Sequence, residues 1–432
     1  MDIYSCQEAF GAKDCTSAAM KSAIADWYDL YYGTATQGRD PCQRIAYTVV
    51  SKLVKAVFGE YAVTASQPLT KQILAELDRF KELAVAQALV GGACYLKPWP
   101  EKAGFGFTLI PRNQILIFGR DATGAPTDVG TMEQTPDGSA VYTLLERRKT
   151  DENGYLTIEN RLYRSFTPGL LGTPVPLRSH PLYAQLPERY TYQVPLGLGL
   201  VRLKTPMLGC VDGSPDGVSV YAAAAGLIRA IDENEQQLSG EFSRGQSRVF
   251  VSQDLLDGGQ LTDSVFVGLD EDPQQLGITL FSPQLREQSY LNRKQEYLRN
   301  IESIVGIKRG LLCDANLDQR TATEISASQT EHGLTVLDFQ NMWARAVDET
   351  LELCAVLASL YRIPGSVERV RIDWGNGVLF DEEKRWADYK ELVAMGLLRP
   401  EIALAWRFGL PADTEEQRAE IRRKYMPQTA ES

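Results

Sequence analysis

The sequence of 432 residues has little histidine and lacks the common motifs that hold a phosphate or a metal ion. Its two histidines, His180 and His332, are far apart, and no His-Glu-x-x-His pair occurs. The dipeptide Gly-Lys is absent, which excludes a Walker A loop, and there is no Gly-x-Ser-x-Gly nucleophile elbow. We therefore predict a non-enzymatic protein with no catalytic residue, no cofactor and no metal site.

The cysteines also lack a functional pattern. Seven are present, an odd number, and none forms a Cys-x-x-Cys pair, which argues against a disulfide framework or a zinc ribbon. We expect reduced thiols, as in a cytoplasmic protein. The start, "MDIYSCQEAF", has no basic segment before an apolar one, so no signal peptide is predicted. No apolar run approaches the roughly 20 residues that cross a bilayer, so we expect a soluble protein without a membrane partner.

The charge balance is acidic, with 45 basic and 56 acidic residues and a net charge of −11. Domains that wrap nucleic acid are usually basic, so only brief contact with DNA is expected. Acidic clusters at residues 270–272 and 381–383 leave open a metal-dependent DNA-processing enzyme. In a chain this rich in acids, solvated loops or helix starts explain such clusters more simply.

The N-terminal half combines helices and strands. Periodicity predicts one helix that ends at Gly33, a second that begins at Pro41 and a third that ends at a double glycine. The clearest strand pair is the hairpin "VYTLLERRKTDENGYLTIENRLYR", whose Asn153-Gly154 pair favours a primed turn. Residues 167–215 are rich in proline and glycine and predict irregular structure with short strands.

Two amphipathic helices then frame a small β segment. Ser214-Pro215 and Ser282-Pro283 predict the two helix starts, and Gly306 predicts the second helix end. Between them, "RVFVS", "SVFVGL" and "ITLF" are typical of strands. The predicted apolar stripes are Val218, Tyr221, Ala225, Ile228, Ile231 and Leu238 in the first helix, and Leu291, Leu298, Ile301 and Val305 in the second.

A very long helix follows the stretch "QRTATEI". Thr321 and Glu324 have the spacing of a capping box, which predicts a helix start there. A helix over residues 323–362 would span about 60 Å. Gly333 inside it costs about 1 kcal/mol relative to alanine and is a plausible kink. Residues 363–365 should end it, and a short strand and several short helices follow.

This order of parts resembles the portal proteins of tailed double-stranded DNA phages, in the branch found in long-tailed phages of Gram-positive bacteria. The stretches that carry the resemblance are "ADWYDLYYG", "YTLLERR...ENRLYR", "IDENEQQLSGEFSRGQSRVFV", "VGIKRGLLCDANLDQRTATEISAS" and "RIDWGNGVLFDEEKRWADYKELVAMGLL". The resemblance covers nearly the whole chain, and "TATEI" is its most specific part. Another ring-forming head or neck adaptor is the main alternative, although adaptors are usually shorter and lack a β insertion between stem-like helices.

The resemblance implies an α+β portal fold with a wing, a stem, a clip and a small helical crown. Its parts would be the wing at 1–212, a stem helix at 213–240, the clip at 241–281, a second stem helix at 282–306, the tunnel loop at 307–322, the long kinked wing helix at 323–365, and a wing strand with the crown at 366–432.

The resemblance also implies a ring of about twelve subunits at one capsid vertex of the virion, assembled in the host cytoplasm. Double-stranded DNA would pass through its channel during packaging and ejection. The implied partners are other copies of the chain, the large terminase subunit, a head-tail adaptor, and the major capsid and scaffolding proteins.

Four groups of site residues follow from that resemblance and from their polarity. The tunnel-loop candidates are Lys308, Arg309, Asn316, Gln319 and Arg320. The candidates for the channel face of the stem are Asp232, Glu233, Glu235, Arg293, Lys294 and Arg299. Arg244 and Arg248 are the clip candidates that would face the terminase. Thr321 and Glu324 would cap the helix that carries the tunnel loop.

Overall fold

The structure is a computed structural model. It describes residues 3–34, 42–167, 169–244, 248–252, 266–269, 279–281, 285–314, 322–375, 382–412 and 414–426, of which 244, 248–252, 266–269, 279–281, 322–329 and 382–385 are described by their backbone alone. The chain forms two units, Met1–Asp373 and Trp374–Ser432.

Helices and strands alternate irregularly along the first unit. Its helices are α1 Ser5–Phe10, α2 Ala18–Tyr32, α3 Ile45–Phe58, α4 Pro68–Gly91, α5 Ala225–Arg244, α6 Glu287–Val305 and α7 Ala322–Tyr361. Its strands are β1 Ala62–Val63, β2 Ala93–Pro100, β3 Phe105–Pro111, β4 Ile115–Arg120, β5 Pro126–Asp137, β6 Ala140–Thr150, β7 Tyr155–Ser165, β8 Thr173–Val175, β9 Arg189–Pro195, β10 Val201–Lys204, β11 Arg248–Ser252, β12 Phe266–Leu269, β13 Thr279–Phe281 and β14 Ile372–Asp373. The fold is therefore α+β.

The strands form separate sheets. One has the order β10-β2-β3, and a larger one runs β4-β5-β6-β7-β8 with β9 also paired to β7. The insertion between α5 and α6 holds its own sheet, in the order β12-β11-β13. The strands predicted for that insertion are confirmed.

The first helices follow the predicted pattern at most of their ends. The Ser17 hydroxyl accepts a hydrogen bond from the Met20 amide at the start of α2, and Gly33 ends that helix with φ +64°. The prediction that α3 begins at Pro41 is wrong, since the helix starts at Ile45. Arg44 takes a left-handed φ of 53°, and the Gln43 amide donates to Asp232 rather than to a helical carbonyl.

The hairpin between β6 and β7 is confirmed, but its turn differs from the predicted type. Both primed turn types need positive φ at the first central residue, which is Asn153 in the predicted turn, but of residues 151–154 only Gly154 has a positive φ, at +81°. The Asp151 carboxylate accepts from the amides of Asn153 and Tyr155, at 3.0 and 2.9 Å. This aspartate closes the loop with its own side chain.

The start predicted for the first stem-like helix is also wrong. α5 begins at Ala225, after a single helical turn at residues 222–224, and not at Ser214. The residues between Ser214 and α5 form contacts with distant parts of the chain instead of a helix. Asp216 pairs with Arg120 at 2.8 Å, and the Ser219 hydroxyl donates to the Leu89 carbonyl at 3.1 Å. These contacts hold the segment extended across the end of α4.

The two stem-like helices lie against each other along their apolar stripes. All six predicted stripe residues of the first helix are buried, and so are Leu298, Ile301 and Val305 of the second. Leu291 is 39% exposed, so its predicted burial is wrong. Gly306 ends α6 with φ +73°, as predicted, whereas Ser282 and Pro283 lie outside the described residues.

The long helix α7 is present over 40 residues. It continues without a break in its helical assignment through Gly333, and it buries Phe339, Trp343 and Cys354 completely. Arg362, with φ 53°, and Gly365, with φ 109°, follow its end. In the part of the chain that the structure describes, no helix has the length and apolar character of a membrane span.

The second unit contains the predicted cluster of short helices. They are α8 Glu382–Ala394, α9 Pro400–Phe408 and α10 Glu415–Tyr425. Buried Glu401 of α9 pairs with Arg422 of α10 at 2.8 Å. Thr414 and Gln417 form a capping box at the start of α10.

Candidate functional site at the loop between α6 and α7

A buried carboxylate defines the end of α6. Glu302 is fully enclosed, because it shares the inward face of the helix with Leu298 and Val305. After Gly306 the chain reverses and returns over this face, beginning with a hydrogen bond from the Ile307 amide to the Glu302 carbonyl at 3.0 Å. We call residues 306–314 the loop base.

The Glu302 side chain organises the loop base through four donors. Its Oε1 accepts from the amides of Leu312 at 2.6 Å and Cys313 at 3.2 Å. The Gly310 amide lies 3.1 Å from both carboxylate oxygens, and the Cys313 thiol lies 3.0 Å from Oε2. Burial and the neighbouring carboxylate raise the pKa of Cys313, so the thiol keeps its proton and donates. These bonds compensate the cost of burying a charged group.

A second contact joins the far end of the loop base to α6. The Asp314 amide donates to Oε1 of Gln295 at 2.9 Å, and Nε2 of Gln295 donates to Oδ2 of Asp314 at 3.0 Å. Asp314 is the last described residue before 315–321. The chain therefore enters residues 315–321 from Asp314, which is fixed to α6 by Gln295.

Residues 332–335, within the N-terminal half of α7, close the other side of the loop base. His332 is half-buried and forms a hydrogen bond with the backbone of Gly306. Burial lowers the pKa of His332, and the nearby positive charge of Lys308 lowers that pKa further. Two features of this turn require glycine at position 306. The backbone has a positive φ, and a Cβ atom would lie only 2.5 Å from Oγ1 of Thr335.

The tunnel-loop candidates fall partly within the described chain. Lys308 is half-buried and Arg309 is exposed, and both lie in the loop base. Asn316, Gln319, Arg320 and the cap residue Thr321 lie outside the described residues, and the side chain of Glu324 is not described. Their roles stay predictions.

Two of the channel-face candidates, Asp232 and Lys294, contact Gln43 of the N-terminal region, and Glu235 joins this group through Lys294. Asp232 accepts from the Gln43 amide at 2.8 Å, while Lys294 donates to Oε1 of Gln43 at 2.8 Å and to Glu235 at 3.0 Å. These side chains link α5 and α6 to the segment before α3. The function of this group in a channel stays a prediction.

The other stem and clip candidates are separate from that group. Glu233 is exposed, Arg293 donates to the Tyr297 hydroxyl at 2.7 Å, and Arg299 pairs with Glu296 at 3.4 Å. Arg244 and Arg248 are described by backbone alone, at the end of α5 and the start of β11.

Sequence reasoning missed Gln43, Gln295 and Glu302. A signal existed for Glu302, since a glutamate stands on the apolar stripe of an amphipathic helix between Ile301 and Val305. Metal-binding chemistry does not explain it: among the described residues no group of three or more His, Cys, Asp or Glu side chains could hold a metal ion.

No family model and no curated protein matches the sequence. Among solved structures, the chain is similar to a chain of the structure described as "Neck of native GTA particle computed with C12 symmetry". The two chains share a fold. The TM-score is 0.50 at 11% sequence identity, and the match covers 95% of this chain and 99% of the other. At this identity the similarity concerns the α+β architecture, which extends over nearly the full length of both chains.

Proposed function

We propose that this chain is a portal protein, the subunit of a ring at one vertex of a phage capsid. One observation carries the proposal. The chain has a helix, a small sheet, a second helix, an anchored loop and a 40-residue helix in succession, within a fold shared along 95% of its length with a neck chain. The C12 symmetry of that neck structure supports a ring of about twelve copies.

The portal role fits this arrangement better than the role of a smaller neck adaptor. The three-stranded sheet β12-β11-β13 stands between α5 and α6, where the portal resemblance expects a clip between two stem helices. We propose that α5 and α6 form the stem and that residues 307–322 form the tunnel loop. The second unit would supply the crown.

The loop base is the anchored first part of the proposed tunnel loop and gives the rest of that loop a fixed origin. In this proposal Glu302 and Gln295 hold residues 310–314 on α6, so that movement of the following segment is not transmitted into the stem. Asn316, Gln319 and Arg320 would then contact passing DNA. A subunit with net charge −11 suits transient contact, because each neutralised phosphate adds affinity.

The proposed partners are those of a portal vertex. They are the large terminase subunit, a head-tail adaptor, the major capsid and scaffolding proteins, and double-stranded DNA in transit. The ring would reside in the virion after assembly in the host cytoplasm. We expect no nuclease or ATPase activity from the purified chain, and a magnesium-dependent activity lost on mutation of an acidic cluster would favour the enzyme alternative.

The mass of the purified full-length chain tests the ring. About twelve chains of 48.0 kDa give a particle of about 580 kDa, which light scattering separates clearly from a monomer or a dimer. We expect this particle at micromolar concentrations. A monomer or dimer at every concentration would contradict the proposal.

A further inference from the structure

A cleft of about 610 Å³ lies beside β10, away from the loop base. One wall is formed by β10 and the residues that follow it, and the facing wall by the middle of α7. The partly buried Leu198 and Leu200 and the buried Met342 contribute an apolar floor. The cleft lies entirely within the first unit.

The spacing of residues on the two walls directs charged groups into this cleft. Arg202 and Lys204 are two positions apart on β10 and therefore project from the same face of the strand. Arg345 and Glu349 are four positions apart on α7 and lie on one side of the helix. All four side chains line the cleft.

The charges in the cleft do not balance. Three cations and one carboxylate line the cleft. The charge of Glu349 interacts with the charges of Arg345 and Arg202, but within the described residues none of the four side chains is close enough to an opposite charge to form an ion pair. Lys204 donates to the neutral Pro215 carbonyl at 2.7 Å, and Arg345 donates to the Asn341 carbonyl at 3.3 Å. Burial lowers the pKa of Lys204, and the neighbouring charge of Arg202 lowers it further. The cleft thus concentrates positive charge on an acidic protein.

We propose that this cleft binds an acidic segment of a partner protein, whose carboxylates pair with Arg202, Lys204 and Arg345 and whose adjacent apolar side chain covers Leu198 and Leu200. Arginine matches carboxylates particularly well, because its planar guanidinium donates two parallel hydrogen bonds. The inference does not depend on the portal assignment, since it rests on the cleft alone.

A protein segment fits the cleft better than DNA does. A volume of about 610 Å³ is within the range of about 300–1,000 Å³ that small ligand sites occupy, and it admits a few side chains but not a duplex. The apolar floor would contribute little to phosphate binding. Glu349 would repel the closely spaced phosphates of a nucleic-acid backbone. The carboxylates of an acidic protein segment are on separate side chains, so they can approach the arginines while staying away from Glu349.

The test uses a fluorescein-labelled peptide of sequence Leu-Glu-Glu-Leu-Glu, titrated with the full-length chain and followed by anisotropy. The matched control peptide is Leu-Gln-Gln-Leu-Gln. Arg202→Gln and Arg345→Gln should each weaken binding about two- to fivefold, the effect of losing one partly exposed ion pair. Glu349→Gln should strengthen binding, because it removes a repulsive charge. Arg79→Gln, which removes an exposed arginine on α4, should change nothing.

Several outcomes would overturn the proposal. One is that the acidic peptide fails to bind, and another is that the glutamine peptide binds equally well. A third is that a double-stranded oligonucleotide displaces the acidic peptide at a lower concentration than unlabelled peptide does. If Arg202→Gln fails to fold, the two exposed positions on α7 still test the proposal. Arg345→Gln should weaken binding of the acidic peptide, and Glu349→Gln should strengthen it. Equal effects of these two variants would count against the cleft.

Discussion

Replacing Glu302 with glutamine tests whether one buried carboxylate holds the loop base. The substitution keeps the size of the side chain but removes its charge and turns one acceptor oxygen into a donor. That donor would face either the amides of Leu312 and Cys313 or the Cys313 thiol. Some of the present hydrogen bonds must therefore break.

The expected magnitude follows from the number and type of these bonds. A hydrogen bond to a charged group contributes about 1.5–3 kcal/mol, and an unsatisfied buried group costs about 1–3 kcal/mol. Glutamine keeps one acceptor, so we expect the loop base to lose about 2–3 kcal/mol of local stability. This corresponds to a roughly 30- to 150-fold increase in the opening equilibrium.

Amide hydrogen exchange measures this opening directly. The amides of Gly310, Leu312 and Cys313 should exchange about 30- to 150-fold faster in Glu302→Gln than in the unchanged protein. Amides in the middle of α7 should keep their rates. Glu296→Gln is the matched control, because Glu296 lies on the same helix with its side chain largely exposed and pairs weakly with Arg299.

Unchanged exchange at these three amides in Glu302→Gln would refute the anchoring role. Equal acceleration in Glu296→Gln would also refute it, since the effect would then belong to the helix and not to the carboxylate.

Three further predictions concern the thiols and the acid response. Cys313→Ala should accelerate exchange in the loop base by about tenfold, and Cys313→Ser, which keeps a donor for Glu302, should do so less; the reverse order would argue against thiol donation. Burial opposes the ionisation of Glu146, but Arg148 and Lys97 hold its pKa at about 2. The ionised Glu146 therefore stabilises the fold above pH 4.5, and this stabilisation is lost as pH falls through about 2. In urea unfolding at pH 6, Glu146→Gln should have a free energy of unfolding about 3 kcal/mol lower than the unchanged protein, and this difference should shrink in acid. A difference that stays constant with pH would contradict the prediction. Thiol reagents should label the exposed Cys15 and Cys210 quickly under native conditions, and fast labelling of a buried thiol would contradict the described packing. The thiols expected to react slowly are Cys6, Cys94, Cys313 and Cys354.

Sequence periodicity predicted the elements of this fold well where local signals decide them. Gly33 ends α2 and Gly306 ends α6, as predicted, because a left-handed glycine acts within one turn. The individual helices and strands, with the strands between two amphipathic helices, were also predictable from the alternation of apolar patterns, whereas the α+β fold class was implied by the resemblance.

The incorrect predictions arise from contacts between distant parts of the chain. Ser214-Pro215 is a good local helix start, but Asp216 pairs with Arg120, 96 residues away, and the helix begins later. Gln43 meets Asp232 across 189 residues, which moves the start of α3. No local pattern contains either contact.

The candidate site was predictable only in part for the same reason. Lys308 and Arg309 were chosen from the resemblance to portal proteins and from their polarity; they lie in the loop base, and their role in a tunnel loop stays a prediction. The residues that hold this loop base, Gln295 and Glu302, act on amides 8 to 19 positions further along the chain. A spacing of that size has no helical or strand period, so the sequence marks Glu302 only as a glutamate on an apolar stripe and does not reveal which amides it binds.

A three-dimensional reconstruction of the purified protein by electron microscopy tests the central claim most directly. The proposal predicts a closed ring of about twelve copies with an open axial channel, and with residues 307–322 of each copy at the channel wall. A particle without an axial channel, or a ring in which these residues lie on the outer surface, would contradict it.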